Sequence, residues 1–400
     1  MFKNCLKIFL LLVLLSPTVL QAKDPLPETT VPLSSGLAAQ YNSPAYNPAY
    51  NGRTFNAVAQ GHFALIRFIP DWKHIEKTRG VYDFQNCDWL ISAFTSRGLR
   101  PVLGLGLNNS LYGVETRINT PEQRVAFGRF VQAIVKRYRG QKIIWEIWNE
   151  PNIPFFWRPC PGEKLPLRQQ VAEYMALLDD IVPIIRKTDP EALVIGPGAA
   201  NYNTAWLREV LKQGLLRQLD GLSVHPYLGK ERPELVINQH RQVQSWISPE
   251  LRCKPVFFTE WGYSTGIGPD EVSEQTQANY AQRQYMLSLL LGVQGNFIYS
   301  LTNDSIRIPC QSKNACYGLF DKSTGREKPA YYAMKRLMEQ LYGFRFTRRI
   351  AHAEPTIYIL EFKNSRHGVK YAFWKSYGKP VAITLPNGQT ATANESVQVL

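Results

Sequence analysis

From about residue 60 the chain alternates short apolar runs with longer amphipathic stretches. The short runs fall at 64–69, 101–107, 143–148, 192–196, 221–224, 255–259 and 296–301. Their length suits buried strands, while the stretches at 167–187 and 273–291 repeat apolar residues at helical spacing. Helix boundaries are also legible. Thr120-Pro121-Glu122 opens a helix with an N-cap, a proline and an early acid, and Arg137, Arg139 and Gly140 close it. Strands separated by helices predict parallel pairing through right-handed crossovers. Closing such a sheet into a barrel needs one more strand, expected at 33–38, ahead of a Pro-, Asn- and Tyr-rich stretch at 41–50. The competing architecture is an open doubly wound sheet. Against it, Gly104-Leu105-Gly106 lacks the third glycine and the helix start of a dinucleotide-binding turn. The expectation is an α/β protein with a (β/α)8 TIM barrel.

Near residue 345 the pattern changes. Runs at 356–362, 369–374, 381–385 and 396–400 are rich in β-branched and aromatic residues, and Pro386-Asn387-Gly388 reads as a turn between two of them. A small antiparallel β-domain is therefore expected over 344–400, with the barrel over 23–343. Residues 1–22 read as a secretory signal peptide: Lys3 and Lys7 precede the apolar run 8–15, and Ala22 is a small residue at the expected cleavage site. That run is shorter than the roughly 20 residues a bilayer span needs. No later run is longer, so the mature chain is expected to be secreted or periplasmic, without stable membrane insertion.

Charge and cysteines narrow the picture further. The formal net charge is +14, and a leader carrying only Lys3 and Lys7 leaves it strongly positive. The basic residues form no compact block, so nucleic acid is not an expected partner. Two readings of the charge stand, a solvated basic surface and an acidic glycan ligand. Six cysteines become an odd number once Cys5 leaves with the leader, so at least one is not paired within the chain. Cys310 and Cys316 flank a short polar loop and are the best candidates for a disulfide. Cys87, Cys160 and Cys253 fall at no metal-binding spacing. Neither a metal nor an organic cofactor is expected.

The candidate chemistry lies where strands end, since a parallel barrel places its functional residues on the C-terminal rim. The run 143–148 leads into Asn149-Glu150-Pro151-Asn152, and 255–259 leads into Glu260-Trp261-Gly262. Two carboxylates facing one cleft can cleave a glycosidic bond, one as protonated acid and the other ionised. Alone, either glutamate reads as a salt-bridge partner or a cap. Together, each among aromatics at the end of a buried strand, they read as a pair.

Trp148-Asn149-Glu150-Pro151-Asn152 resembles the acid/base motif of clan A glycoside hydrolases, particularly those similar to family 39. Thr259-Glu260-Trp261-Gly262 looks like their nucleophile motif. The stretch from Asp71 to Glu76, followed by Gly80-Val81-Tyr82-Asp83-Phe84, is similar to their second βα segment. Gly318-Leu319-Phe320-Asp321 and Lys328-Pro329-Ala330-Tyr331-Tyr332 resemble the segment after their last strand. The resemblance covers most of residues 60–340. It implies a retaining β-glycosidase, with Glu150 as acid/base and Glu260 as nucleophile. It also implies His225 in the sugar site and Tyr227 beside the nucleophile. Two departures stand out: residues 33–56 match poorly, and the last strand ends in Tyr299-Ser300, where many clan A enzymes carry a tryptophan.

Placement on the rim supplies further candidates. Asn149 has an amide able to bond a sugar hydroxyl, and Trp261, Phe156 and Trp157 have rings able to stack on a pyranose face. Asp71, Asn108 and Asp304 lie just past strand ends. Arg67 ends the second strand, where it can favour the ionised form of Glu260. Glu146 shares strand parity with Glu150, so Arg67 is also a candidate for a buried pair with Glu146, as well as, or instead of, a place near Glu260. The expected substrate is an extracellular or cell-envelope polysaccharide or oligosaccharide. The alternative is a non-catalytic carbohydrate-binding protein that keeps the barrel.

Overall fold

The computed structural model describes residues 35–38, 48–158, 163–304, 316–322 and 324–400. The predicted leader, Cys160 and Cys310 lie outside them. Eight parallel strands close a barrel in sequence order: β1 Ser35–Ala38, β2 Leu65–Phe68, β3 Arg100–Leu105, β4 Ile144–Ile147, β5 Leu193–Ala200, β6 Gly221–His225, β7 Val256–Trp261 and β8 Gly295–Tyr299. The strand expected at 33–38 is β1. It pairs with β2 on one side and with β8 on the other, where Ala38 faces Tyr299.

Around this barrel run α1 Pro48–Gln60, α2 Trp72–Ile75, α3 Gln85–Thr95, α4 Pro121–Arg137, α5 Leu167–Thr188, α6 Ala205–Lys212, α7 Leu215–Gln218, α8 Val236–Trp246, α9 Glu274–Leu290 and α10 Pro329–Leu341. Helix α4 starts where its sequence predicts. The Thr120 side chain accepts from the Gln123 N–H at 3.2 Å, and the Gln123 side chain reciprocates to the Thr120 N–H. Its apolar stripe Phe127, Phe130, Val131 and Ile134 is fully buried. At Gly128 a Cβ would lie 2.8 Å from Ile184 Cδ1, so glycine lets α4 and α5 approach closely. Helix α9 departs from the amphipathic expectation. Gln277, Gln282, Arg283, Gln284 and Ser288 are buried along with its apolar residues, because α10 and the C-terminal sheet cover the face that would otherwise meet water.

Inside the barrel, Leu65, Val102, Ile144, Ile195, Phe257 and Phe297 form one apolar layer. Two residues further along the strands, the inward positions turn polar: Arg67, Glu146 and Thr259. The period of two carries these side chains inward, and the strand direction carries them toward the C-terminal rim. Charge is thus buried directly beneath the cleft, on an apolar plug.

After α10 come two antiparallel sheets. One has the order β14-β11-β10-β9, with β9 Arg345–Ile350, β10 Ile357–Asn364, β11 Gly368–Lys375 and β14 Gln398–Val399; the other pairs β12 Val381–Thr384 with β13 Thr390–Ala393. The 386–388 turn joins β12 to β13, and Gly388 takes φ 85°, a conformation glycine adopts without strain. Phe346, Leu360, Phe362 and Trp374 join the same hydrophobic core as the barrel helices. Arg283 of α9 anchors the joint. Its guanidinium binds Glu234 and donates to the Ser376 carbonyl at 2.8 Å, while Trp374 Nε1 donates to Glu234 at 2.8 Å.

Candidate active site

Arg67 organises the site. Its Nε donates to Glu146 Oε2 at 2.5 Å, its Nη2 to Asn149 Oδ1 at 2.8 Å, and its Nη1 to Glu260 Oε1. One guanidinium therefore ties β2 to the ends of β4 and β7. Of the readings the sequence left open for Arg67, the structure has both at once, because it pairs with Glu146 and Glu260. Arginine can only donate, so Asn149 must present its carbonyl oxygen here and turn its amide NH2 elsewhere. Glu146 also accepts from Thr259 Oγ1 at 2.7 Å.

Glu150 sits on a strained turn. It has φ 48° and Trp148 has φ 72°, left-handed values that cost energy in residues with a Cβ and persist only where surroundings enforce them. Several contacts do so. Trp148 N–H donates to Leu105 O at 2.7 Å, Glu150 N–H to Gly198 O at 2.9 Å, and Asn152 exchanges two bonds with the Ala200 backbone at 2.7 and 2.8 Å. Gly198 is itself needed, since a Cβ there would lie 3.1 Å from Glu146 Oε1 and 3.3 Å from His225 Nε2. The Glu150 carboxylate meets His225 Nδ1 at 2.8 Å.

Glu260 reaches the cleft through a break in β7. Between Phe258 and Trp261 the pairing with β8 advances three residues on β7 against two on β8, which is a bulge. Thr259 already points inward to Glu146, and the extra residue turns Glu260 inward as well. Trp261 is returned to the outer face beside Phe258. Gly262 follows because its backbone presses on β8: a Cβ there would lie 2.1 Å from Tyr299 O. Tyr227 Oη donates to Glu260 Oε2 at 3.1 Å. Behind it, the rings of Tyr227, Tyr299 and Tyr317 pack edge to face, with centroids 5.5–6.2 Å apart.

The site is a buried, strongly coupled set of charges. Burial opposes the charge of Arg67, but Glu146 and Glu260 outweigh it and raise its pKa. For Glu146, burial favours the neutral acid, yet Arg67, then His225 and the bonds from Ser223 and Thr259, leave its pKa lowered. For His225, burial pushes down while Glu260 and then Glu150 push up, and the net direction is up. Burial, followed by the Glu260 charge, holds the Tyr227 phenol well above its ordinary value, so it stays a donor. One ligand atom each from Glu150, His225 and Glu260 lie within 4.8 Å of one another, close enough for a cation. Both Glu260 oxygens are already engaged by Arg67 and Tyr227, which leaves a poor donor set for one.

Two sequence candidates fall elsewhere. Trp157 is fully buried, edge to face with Trp148, and its Nε1 donates to Glu173 at 3.1 Å. Trp261 is 2% exposed in the layer between barrel and helices. Neither ring is open to a sugar, because both serve the core that supports the motif loops. Phe156 and Asn108 are half-buried. Asp71 sits at the N-cap position of α2 without a side-chain cap bond, and its carboxylate pairs with His74 at 2.8 Å. Cys316 is disulfide-bonded, while its expected partner Cys310 lies outside the described residues. Tyr317, within the barrel-top tyrosine cluster, went unpredicted; it follows Cys316 with no strand pattern to mark it.

A closed (β/α)8 barrel with paired carboxylates at the ends of its fourth and seventh strands defines the class of barrel glycoside hydrolases. The family model described as Cellulase (glycosyl hydrolase family 5) matches residues 29–291, and the chain belongs to this clan A family. Among curated relatives, a beta-xylosidase of Geobacillus stearothermophilus is 22% identical over 269 residues, covering 57% of this chain and 51% of its own length. A beta-xylosidase of Caldicellulosiruptor saccharolyticus is 23% identical over 318 residues, covering 71% and 62%. The chain thus spans between half and two thirds of the length of these relatives. A solved family 39 glycoside hydrolase from Bacteroides cellulosilyticus WH2 shares the fold at TM-score 0.74 and 21% identity, over 92% of this chain and 80% of that one. The expected likeness to clan A enzymes of the family 39 kind holds.

Proposed function

We propose that the chain is a retaining, β-xylosidase-like glycoside hydrolase, exported to act on an extracellular or cell-envelope polysaccharide or oligosaccharide. One observation carries the reading: oxygens of Glu150 and Glu260 come within 4.8 Å of each other. Retaining enzymes hold their carboxyl groups about 5–5.5 Å apart, whereas inverting ones leave about 6.5–9.5 Å for a water. Glu260 attacks the anomeric carbon while Glu150 protonates the departing oxygen, which gives a glycosyl ester and a free alcohol. Glu150, now ionised, takes a proton from water as that water attacks the ester, and Glu260 is released as carboxylate. Arg67 and Tyr227 hold Glu260 by one oxygen each, and His225 holds Glu150. The Asn149 NH2, turned from Arg67, is free to meet a sugar hydroxyl.

Purified protein assayed on aryl β-glycosides should lose turnover in both Glu150→Gln and Glu260→Gln; full activity in either would overturn the assignment. Azide added to Glu260→Ala should yield a glycosyl azide of inverted configuration. NMR of the wild-type product should show the starting anomer first. Recovery of the mature chain outside the cytoplasm, cleaved after Ala22, tests the export part.

A further inference from the structure

The last barrel strand ends in Tyr299, where the resembling enzymes commonly carry tryptophan. A phenol brings what an indole at this place lacks, a hydroxyl at the far tip of the ring. Tyr299 uses it to donate to Asp304 Oδ2 at 3.1 Å. Asp304 is exposed, and its Oδ1 accepts no bond from the described residues. The same tyrosine packs against Tyr227 at 6.2 Å, and Tyr227 donates to Glu260 at 3.1 Å. Contacts therefore run from the proposed nucleophile, through two rings, to a fixed carboxylate at the rim. Partial desolvation raises the Asp304 pKa, against the lowering effects of the Tyr299 hydrogen bond and the Lys322 charge, with a smaller raising contribution from Glu260. The Lys322 ammonium is at hand, but it reaches the main-chain oxygen of Asp304 at 3.5 Å.

A carboxylate held this way accepts hydrogen bonds from sugar hydroxyls and repels other carboxylates. We propose that Asp304 is a specificity-determining residue of the glycone subsite, selecting neutral pyranosides over uronosides, with Tyr299 as its positioning residue. This rests on the glycosidase reading above. On this reading the basic surface serves no acidic glycone at the cleft.

The test compares kcat and KM for 4-nitrophenyl β-xyloside, β-glucoside and β-glucuronide in wild type, Asp304→Asn and Tyr299→Phe. Wild type should prefer the neutral substrates by about 100-fold or more, since like-charge juxtaposition costs several kcal/mol. Asp304→Asn removes the charge and keeps an acceptor, so it should narrow that preference about tenfold, chiefly through KM. Tyr299→Phe should shift it in the same direction by less. A preference unchanged in Asp304→Asn, or a wild type that favours the glucuronide, overturns the proposal. If no glycoside is turned over, the glycosidase reading fails by itself. Calorimetric titration with xylose and with glucuronate then reads the charge preference directly, and equal affinity for both overturns it.

Discussion

At the scale of single residues, Arg67 matters most. It is 2% exposed and faces two buried carboxylates. Removing one partner of a buried ion pair strands the other, at a cost of about 3–5 kcal/mol. Arg67→Met should therefore lower the unfolding free energy by that order, read as a reduced urea midpoint, and a wild-type midpoint would refute the pairing. Arg67→Lys keeps a charge but not the three-way fork, so it should recover much of the stability while kcat/KM stays down by about 100-fold. His240 gives a pH signature. Burial holds its pKa down at about 4, and Tyr202 Oη lies 2.6 Å from its Nδ1. The unfolded chain binds this proton at higher pH than the folded one. Stability is thus present above the ordinary histidine value of about 6.5 and is lost as pH falls toward 4, by on the order of 3 kcal/mol in all. Urea midpoints between pH 7 and 4 should show this limb in wild type and a shallower one in His240→Gln. Much of the site was legible at this scale, because Glu150, Glu260, Arg67 and His225 all sit at strand ends. Trp157 and Trp261 misled because aromatic identity does not reveal facing. Past the β7 irregularity alternation resumes, so with Glu260 pointing inward Trp261 points out.

Among the elements, β7 matters most for function. A strictly alternating strand that buries Thr259 against Glu146 would turn Glu260 away from the cleft; the bulge avoids this. No pattern of hydrophobicity announces one inserted residue, so sequence could place the glutamate at the rim but not explain its direction. Gly262→Ala forces a methyl group onto the Tyr299 carbonyl. It should cost about 1–3 kcal/mol of stability and lower kcat as the bulge shifts; unchanged thermal midpoint and kcat would mean that the backbone yields freely. Thr120→Ala provides the contrast. It removes the α4 cap, about 1 kcal/mol, and should leave kcat unchanged. Strand β9 was hidden for another reason. Its Arg345, Arg348 and Arg349 give it a polar look, yet such charges suit an edge strand that must not pair with another chain.

For the molecule as a whole, the C-terminal sheets share a core with the barrel instead of hanging from it. The composition shift near residue 345 was visible in sequence, but the joint was not, since Glu234, Arg283 and Trp374 are distant along the chain. Such a joint predicts that barrel and sheets unfold together. Scanning calorimetry should give one transition, and two resolved transitions would contradict the shared core. Glu234→Gln leaves the fully buried Arg283 short of its counter-charge and should lower that single midpoint, with KM for aryl glycosides unaffected.

The three-way grip of Arg67 also constrains how descendants of this sequence can diverge. Each of its nitrogens serves a different acceptor, so no one-step replacement leaves the others content. While Glu260 is under selection, Arg67 is locked, and Glu146 is locked with it. A lineage that abandoned hydrolysis would be released from all three constraints at once. Such offspring should be recognisable by joint loss of the arginine and both acids, on a barrel whose apolar plug is still intact.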